Sequence, residues 1–202
     1  MNSVQSAAAA FNFEGQLVDL QLPGGPVHVT VRLDHAVHVQ RTNAGIGPIL
    51  DRSLVTALWE LPEGLQVPVT SIPSWALERL DSARDAVERA GSSYVHVARP
   101  ATVVTGAVAV GRDLPRLLAR VGQLSAVAPM GLVRRGGVES SDACVLNAAL
   151  YGVGVAAFVN SEVEVILEPQ AVRPTPGPFL WWTAELAYAE ILDNLSRAGP
   201  TR

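Results

Sequence analysis

The chain has 202 residues, of which 49% are apolar and 17% charged, and its formal net charge is −4. This balance favours a soluble globular fold and argues against a dominant nucleic-acid or anionic-membrane surface, since such surfaces need concentrated basic residues. All fifteen basic residues are arginine. Schiff-base chemistry on lysine and a Gly-x-x-x-x-Gly-Lys phosphate loop are therefore excluded.

The single cysteine and the N-terminal residues indicate the compartment in which the protein is expected. Cys144 is the one cysteine, which excludes an intrachain disulfide and indicates a reducing compartment, so we expect a cytoplasmic protein. Met1–Ala10 contains no basic residue and does not resemble a signal peptide. We expect residues 1–14 to form a disordered tail.

The first elements in chain order predict an antiparallel hairpin. Gln16–Leu22 and Val27–Leu33 flank a Gly24-Gly25 centre that suits a tight turn with positive φ. The second segment alternates apolar and polar residues, which is typical of a half-buried strand. Val37 and Val39 continue the alternation, so the pattern predicts extended structure through this region.

The second half predicts alternating helices and strands. Apolar residues spaced three and four apart from Ala76 to Ala90 indicate a helix that ends at Gly91. Asp113 is expected to cap a further helix, and either Ser140 or Ser141 the next one. The uncharged run 143–161 is interpreted as a buried helix followed by a buried strand, not as a membrane span.

These elements predict one mixed α/β domain over residues 15–172. Its front is an antiparallel hairpin, and strand–helix–strand succession behind it favours a partly parallel sheet. Residues 173–178 hold three prolines and one glycine and are expected to form a linker. Residues 179–198 are expected to form a C-terminal packing helix.

Two apolar motifs resemble those of the restriction-endonuclease-like (PD-(D/E)XK) nuclease superfamily. They are Tyr94-Val95-His96-Val97-Ala98-Arg99-Pro100 and Tyr151-Gly152-Val153-Gly154-Val155, and the resemblance covers roughly residues 50–170. It implies a metal-binding aspartate and a Glu-x-Lys strand between about Asp51 and Ile72. Asp51 and Glu60 could serve as the carboxylates, and the lysine is missing. The resemblance therefore implies a degenerate, non-catalytic member.

The histidines suggest a different chemistry. Histidine and aspartate are competent ligands for zinc or another divalent ion, and four such residues lie close in sequence: His28, Asp34, His35 and His38. They are candidates for a metal site, with solvated surface histidines as the alternative. The fourth histidine, His96, alternates with valines and is expected to be a satisfied sheet residue. No other cofactor is predicted.

Arginines and tryptophans supply the remaining candidates. Guanidinium groups bind anions well. The candidates for an anion-binding patch are Arg112, Arg116, Arg120, Arg134 and Arg135. The alternative is that these arginines lie on the solvated face of a helix. Trp181 and Trp182 follow the linker and are candidates for an interface, because two adjacent large aromatics cannot both face one core.

The sequence holds no complete catalytic set, so we expect a non-catalytic interaction or regulatory domain, such as a degenerate nuclease-like module in an assembly. A protein partner or a second copy of the chain is the expected partner, and no membrane contact is expected. One alternative is a metal-dependent hydrolase or nuclease with histidine and aspartate ligands. Another is an arginine-dependent nucleotide or nucleic-acid binder.

Overall fold

The computed structural model describes residues 3–22, 25–83, 85–139 and 142–198. Within these ranges the fold is mixed α/β. The α-helices are α1 Ser3–Ala10, α2 His35–Asn43, α3 Arg52–Trp59, α4 Ser74–Ser82, α5 Leu114–Val121, α6 Ala143–Leu150 and α7 Pro178–Ala198. The strands are β1 Gln16–Leu22, β2 Gly25–Leu33, β3 Gln66–Pro68, β4 Val87–Ala90, β5 Ser93–His96, β6 Thr102–Gly111, β7 Met130–Arg135, β8 Gly154–Val159 and β9 Glu162–Leu167.

The chain divides into two compact units, whereas the sequence predicted a single domain over residues 15–172. The first unit comprises residues 1–32 and 104–175, and the second comprises residues 33–103 and 176–202. Each unit is therefore built from two separate stretches of the chain.

A six-stranded sheet in the order β1-β2-β6-β7-β8-β9 forms the first unit. The predicted N-terminal hairpin is confirmed, because β1 and β2 pair antiparallel. The partly parallel sheet is confirmed as well, since β6–β7 and β7–β8 are parallel while β8–β9 is antiparallel. Two residues of the predicted hairpin turn, 23 and 24, lie outside the described residues.

Helix α1 occupies the region where the sequence predicted a disordered tail. Ala7, Ala8 and Phe11 are buried and pack against Val108 and Ala156 of the sheet. A run of alanines next to an aromatic has little polar character, so it lies against the sheet and gains apolar burial. Composition alone did not reveal the surface that this segment covers.

The second unit combines four helices with the small sheet β3-β5-β4, in which β5 pairs antiparallel with both neighbours. Its core is formed by residues of α3, α4, β4, β5 and the start of α7. The predicted C-terminal helix is confirmed as α7, and residues 168–177, which include the predicted linker, form neither helix nor strand.

Two local predictions in this unit are wrong. Val37 and Val39 lie in helix α2 rather than in a strand, because Asp34 accepts hydrogen bonds from the N–H groups of Ala36 and Val37 and so starts a helix. The helix predicted from Ala76 to Ala90 ends at Ser82. Residues 87–90 instead form β4, and Gly91, with φ of +62°, lies in the turn to β5.

The uncharged run 143–161 forms helix α6 followed by strand β8, as interpreted from the sequence. The predicted caps of α6, Ser140 or Ser141, lie outside the described residues. Asp142 is the observed N-cap and accepts a hydrogen bond from the Cys144 N–H at 2.8 Å. Of the helices in the described ranges, none combines the length and apolar character needed to cross a bilayer.

Candidate functional site

Asp51 and Glu60, the carboxylates implied by the nuclease resemblance, lie at opposite ends of α3. The eight residues of α3 lie between them, so nine residue steps of about 1.5 Å each separate their backbones by roughly 13 Å. Asp51 accepts hydrogen bonds from the Ser53 hydroxyl and from the Ser53 and Leu54 N–H groups. The Ser53 hydroxyl bond, with these backbone bonds, holds the pKa of Asp51 below its ordinary value. Asp51 therefore caps a helix.

The same role recurs at other aspartates. Asp34 caps α2, Asp113 caps α5 and Asp142 caps α6, each through a side-chain oxygen that accepts a backbone N–H. An N-cap satisfies donors that the first helical turn leaves free and complements the positive end of the helix dipole. Four of the acidic residues in this chain thus have an evident structural role.

The predicted histidine cluster is spread over different elements. His28 on β2 faces its cross-strand partner Asp19, with Nδ1 2.6 Å from the carboxylate oxygen. His35 begins α2, and His38, on the same helix rather than on a sheet face, lies 2.9 Å from the Tyr188 hydroxyl. Within the described ranges, no group of three or more histidine, cysteine or acidic side chains could hold a metal ion.

The arginines of the predicted anion-binding patch contact separate partners. Arg112 precedes α5, so it does not continue the helical face of Arg116 and Arg120. Arg116 is exposed and lies 3.5 Å from its own cap Asp113, and Arg120 donates to the Pro26 carbonyl at 3.3 Å.

The remaining two arginines of that patch lie at the end of β7. Arg134 is 3.8 Å from Asp142, and Arg135 is the exposed last residue of the strand. Anion binding by these five residues stays a prediction.

Trp181, a predicted interface residue, is only 4% exposed and belongs to the core of the second unit. Its side chain is therefore almost entirely covered within that unit. Trp182 is half-buried and donates its indole N–H to the Leu50 carbonyl at 2.9 Å. The reason for the difference is rotational: adjacent residues on a helix point about 100° apart.

A buried ion pair that no sequence pattern predicted lies beside Trp181. Arg41 and Glu185 are 1% and 0% exposed, and the guanidinium donates to both carboxylate oxygens at 2.6 and 2.9 Å. The carboxylate also accepts from the Ile49 N–H at 2.8 Å and the Trp181 indole N–H at 2.9 Å. Four donors therefore converge on one buried carboxylate.

The guanidinium of this pair has further acceptors. Arg41 donates to the Arg99 carbonyl at 2.9 Å and to the Gly47 carbonyl, and it lies 4.8 Å from the centroid of the Tyr188 ring. Its remaining nitrogen, Nε, has no partner within the described ranges. The pair therefore ties the loop after α2 to α7.

An apolar cleft of the first unit lies between α5 and α6 and has a volume of about 500 Å³. Its walls and floor include Leu118, Ala119, Met130, Cys144, Asn147 and Tyr151. Cys144, Asn147 and Tyr151 are spaced three and four apart and so share one side of α6 and its end. The lining of the cleft is therefore predominantly apolar with a few polar groups, as is common in small-molecule sites.

Cys144 contributes to the cleft as an apolar group. Burial raises the pKa of its thiol, and the nearby Asp142 carboxylate raises it further. A thiol in this state is protonated at neutral pH and is a poor nucleophile. It therefore acts as a small hydrophobe in the lining.

Beside this cleft, α6 presents large apolar side chains to solvent, although the sequence predicted a buried helix. Leu146, Leu150 and Tyr151 are 59%, 81% and 70% exposed, whereas Val145 and Ala148 of the same helix are buried. We name these three exposed residues the α6 apolar surface. No sequence signal distinguishes the two sides of α6, because both are apolar.

Comparisons of the chain with protein-family models, with curated proteins and with solved structures found no match.

Proposed function

We propose that this protein is a non-catalytic interaction domain that acts in an assembly and associates with a second copy of itself through the α6 apolar surface. The observation that carries the proposal is an exposed apolar projection directly beside an apolar cleft. Large exposed apolar patches on soluble proteins mark interaction sites, because their hydration is unfavourable.

Self-association follows from the arrangement of the two features. In a two-fold dimer both copies use the same surface, so a contact between the projection of one copy and the cleft of the other is formed twice. Leu146 and Leu150, one helical turn apart, supply the projection, and the space between α5 and α6, with Tyr151 in its wall, supplies the cleft. The side chains of one copy would enter the cleft of the other.

The roles of the carboxylates support the non-catalytic part of the proposal. Asp51 is committed to capping α3, and Glu185 is neutralised by Arg41. These are roles in stability rather than in chemistry. On the nuclease resemblance, the protein would be a degenerate member in which the region expected to bind metal begins with the cap and body of α3.

A cytoplasmic location is part of the proposal. The free thiol of Cys144 lines the cleft, and oxidation would turn this small hydrophobe into a polar group. In a reducing compartment the Cys144 thiol stays reduced, so the lining of the cleft stays apolar.

Sedimentation equilibrium of the purified chain over a range of concentrations tests the proposal. We expect a reversible monomer–dimer equilibrium. Leu150→Glu changes both copies, and at about 1.5–3 kcal/mol for each buried leucine it should weaken the dimer by roughly a hundredfold or more. Leu195→Glu is the matched control, since Leu195 is a helical leucine that is 53% exposed in the second unit.

The control should leave the dimer unchanged. A protein that stays monomeric at all concentrations would overturn the proposal, and so would an equal loss of the dimer in the two variants. Circular dichroism spectra of both variants establish that each is folded before its association is measured.

A further inference from the structure

A second cleft, of about 300 Å³, lies within the second unit. Its walls come from the segment that follows α3, from the end of β5 and from α7. Glu63 forms an isolated bridge with His96, and the Gly64 N–H donates to the His96 carbonyl at 3.2 Å. These backbone contacts hold the two walls together, so the cleft is preformed.

Aromatic rings line this cleft. The His96 imidazole stacks on the Trp181 indole with a centroid distance of 5.0 Å and an interplanar angle of 24°. Trp59 lines the cleft as well and is 42% exposed. Flat apolar surfaces of this kind suit a planar aromatic group, which can stack on them.

His96 adds one unused polar atom. It is 6% exposed, its Nδ1 lies 3.3 Å from the Leu61 carbonyl oxygen, and its Nε2 is buried without a hydrogen-bond partner among the described residues. The sequence predicted a satisfied sheet residue here. A buried polar atom without a partner costs free energy unless a ligand or water supplies one.

The imidazole is neutral at physiological pH. Burial lowers the pKa of His96, against the raising effect of the Leu61 and Ala98 carbonyls and of Glu63. With the Nδ1 proton directed at the Leu61 oxygen, Nε2 carries a lone pair. It can therefore accept a hydrogen bond from an N–H or O–H group.

Opposite charges stand at the rim. Arg99 forms an ion pair with Glu63 through both Nε and Nη2, and the two side chains are 58% and 48% exposed. An exposed pair of this kind contributes little to stability. A ligand that carries both charges can therefore bind to the two side chains at small cost.

We propose that this cleft binds a free α-amino acid whose aromatic side chain carries a ring donor, as in tryptophan or tyrosine. The ligand carboxylate binds the Arg99 guanidinium, and the ligand ammonium binds the Glu63 carboxylate. Its ring enters the cleft beside Trp59 and donates its N–H or O–H to His96 Nε2.

Charge and size favour this class of ligand over others. The negative phosphate of a nucleotide would be repelled by the Glu63 carboxylate. The C-terminus of a peptide has a carboxylate for Arg99 but no adjacent ammonium group to bind Glu63. A zwitterion satisfies both charges. A cleft of about 300 Å³ lies at the small end of ligand sites, which matches a single amino acid.

Isothermal titration calorimetry of the full chain with L-tryptophan tests the proposal. We expect saturable binding that is roughly tenfold or more weaker for Arg99→Gln and for Glu63→Gln, because each loses a charge-assisted contact. N-acetyl-L-tryptophan and indole should bind more weakly by similar factors. Arg79→Gln is the matched control, since Arg79 is a similarly exposed, ion-paired arginine of the same unit.

His96→Phe tests the ring donor separately, because phenylalanine keeps an aromatic ring against Trp181 and removes the acceptor. L-tryptophan should bind this variant about tenfold more weakly, whereas L-phenylalanine should bind it as well as it binds the wild type. Absence of heat with both amino acids overturns the proposal. Indole binding equal to that of L-tryptophan, or binding unaffected by Arg99→Gln and Glu63→Gln, overturns it as well.

Discussion

Replacing Glu185 by glutamine should strongly destabilise the second unit. Glutamine has nearly the same shape as glutamate, so the substitution opens no cavity. It removes the charge that balances Arg41, whose guanidinium donates to both carboxylate oxygens. Whichever way the amide is oriented, its NH₂ group faces two of the four donors that now converge on the carboxylate.

The magnitude follows from two independent estimates. A pair of unit charges about 4 Å apart interacts by about 4 kcal/mol at an effective dielectric constant of about 20. Removing one partner of a buried ion pair costs about 3–5 kcal/mol in general. We therefore expect Glu185→Gln to lower the free energy of unfolding by about 4 kcal/mol. At an m-value of about 2 kcal/mol per M, the urea midpoint should fall by roughly 2 M.

Intrinsic fluorescence is a suitable assay, because all four tryptophans, at positions 59, 75, 181 and 182, lie in the second unit. Urea unfolding followed at the tryptophan emission therefore reports on this unit. Glu78→Gln is the control: Glu78 is exposed on α4, and its variant should lie within about 0.5 kcal/mol of the wild type.

A double variant separates the ion pair from its surroundings. Arg41→Met with Glu185→Leu removes both charges, and it should be less destabilising than the sum of its two single variants by about 3 kcal/mol. A Glu185→Gln variant within about 1 kcal/mol of the wild type, or strict additivity in the double variant, would show that the buried charges do not interact strongly.

Two further predictions concern one residue in each unit. Burial lowers the pKa of His96 in the folded state. Below about pH 6.5 the unfolded chain therefore takes up the proton first, and the wild type loses stability as the pH falls. Urea titrations should show this loss relative to His96→Gln, whereas parallel plots of unfolding free energy against pH for the two proteins would contradict it. Phe11 packs against the sheet and is 3% exposed, so Phe11→Ala should lower the free energy of unfolding by about 3–5 kcal/mol. Hydrogen exchange of the backbone amides in β6–β8 should accelerate in this variant. If residues 1–14 were a disordered tail, the exchange rates would not change.

Where a structural feature depends on neighbours in sequence, it was predictable. The alternation of Val27, Val29 and Val31 predicts β2, and all three side chains are buried in the structure. Asp113 predicts the start of α5 because an N-cap acts on residues two and three positions along the chain. The helix–strand change around Gly152 was predictable for the same reason, since its φ of +67° suits glycine.

Where two local signals conflicted, the sequence favoured the wrong one. Val37 and Val39 alternate with polar residues, which indicates a strand, but the Asp34 cap starts a helix. The apolar spacing through Val87 indicates a helix, but pairing with β5 makes this segment a strand. Tertiary pairing overrides such weak preferences, which amount to well under 1 kcal/mol per residue.

The candidate sites depended most on the tertiary structure. Arg41 and Glu185 are 144 positions apart, and neither shows any sequence signal of its partner. No sequence pattern connects His96 with Glu63 and Arg99. The cleft that they line forms only when α3, β5 and α7 pack together. The exposure of Leu150 likewise depends on which side of α6 faces the sheet.

The amino-acid sequence was sufficient to predict the mixed α/β class, the N-terminal hairpin and the C-terminal helix, and to exclude lysine chemistry. All of these follow from composition and from patterns that span a few residues, for which backbone geometry fixes the periodicity. The tertiary structure alone decided the division into two units, the docking of α1, the buried ion pair and both clefts. These features join residues far apart in the chain, and a single sequence carries no record of which distant residues meet.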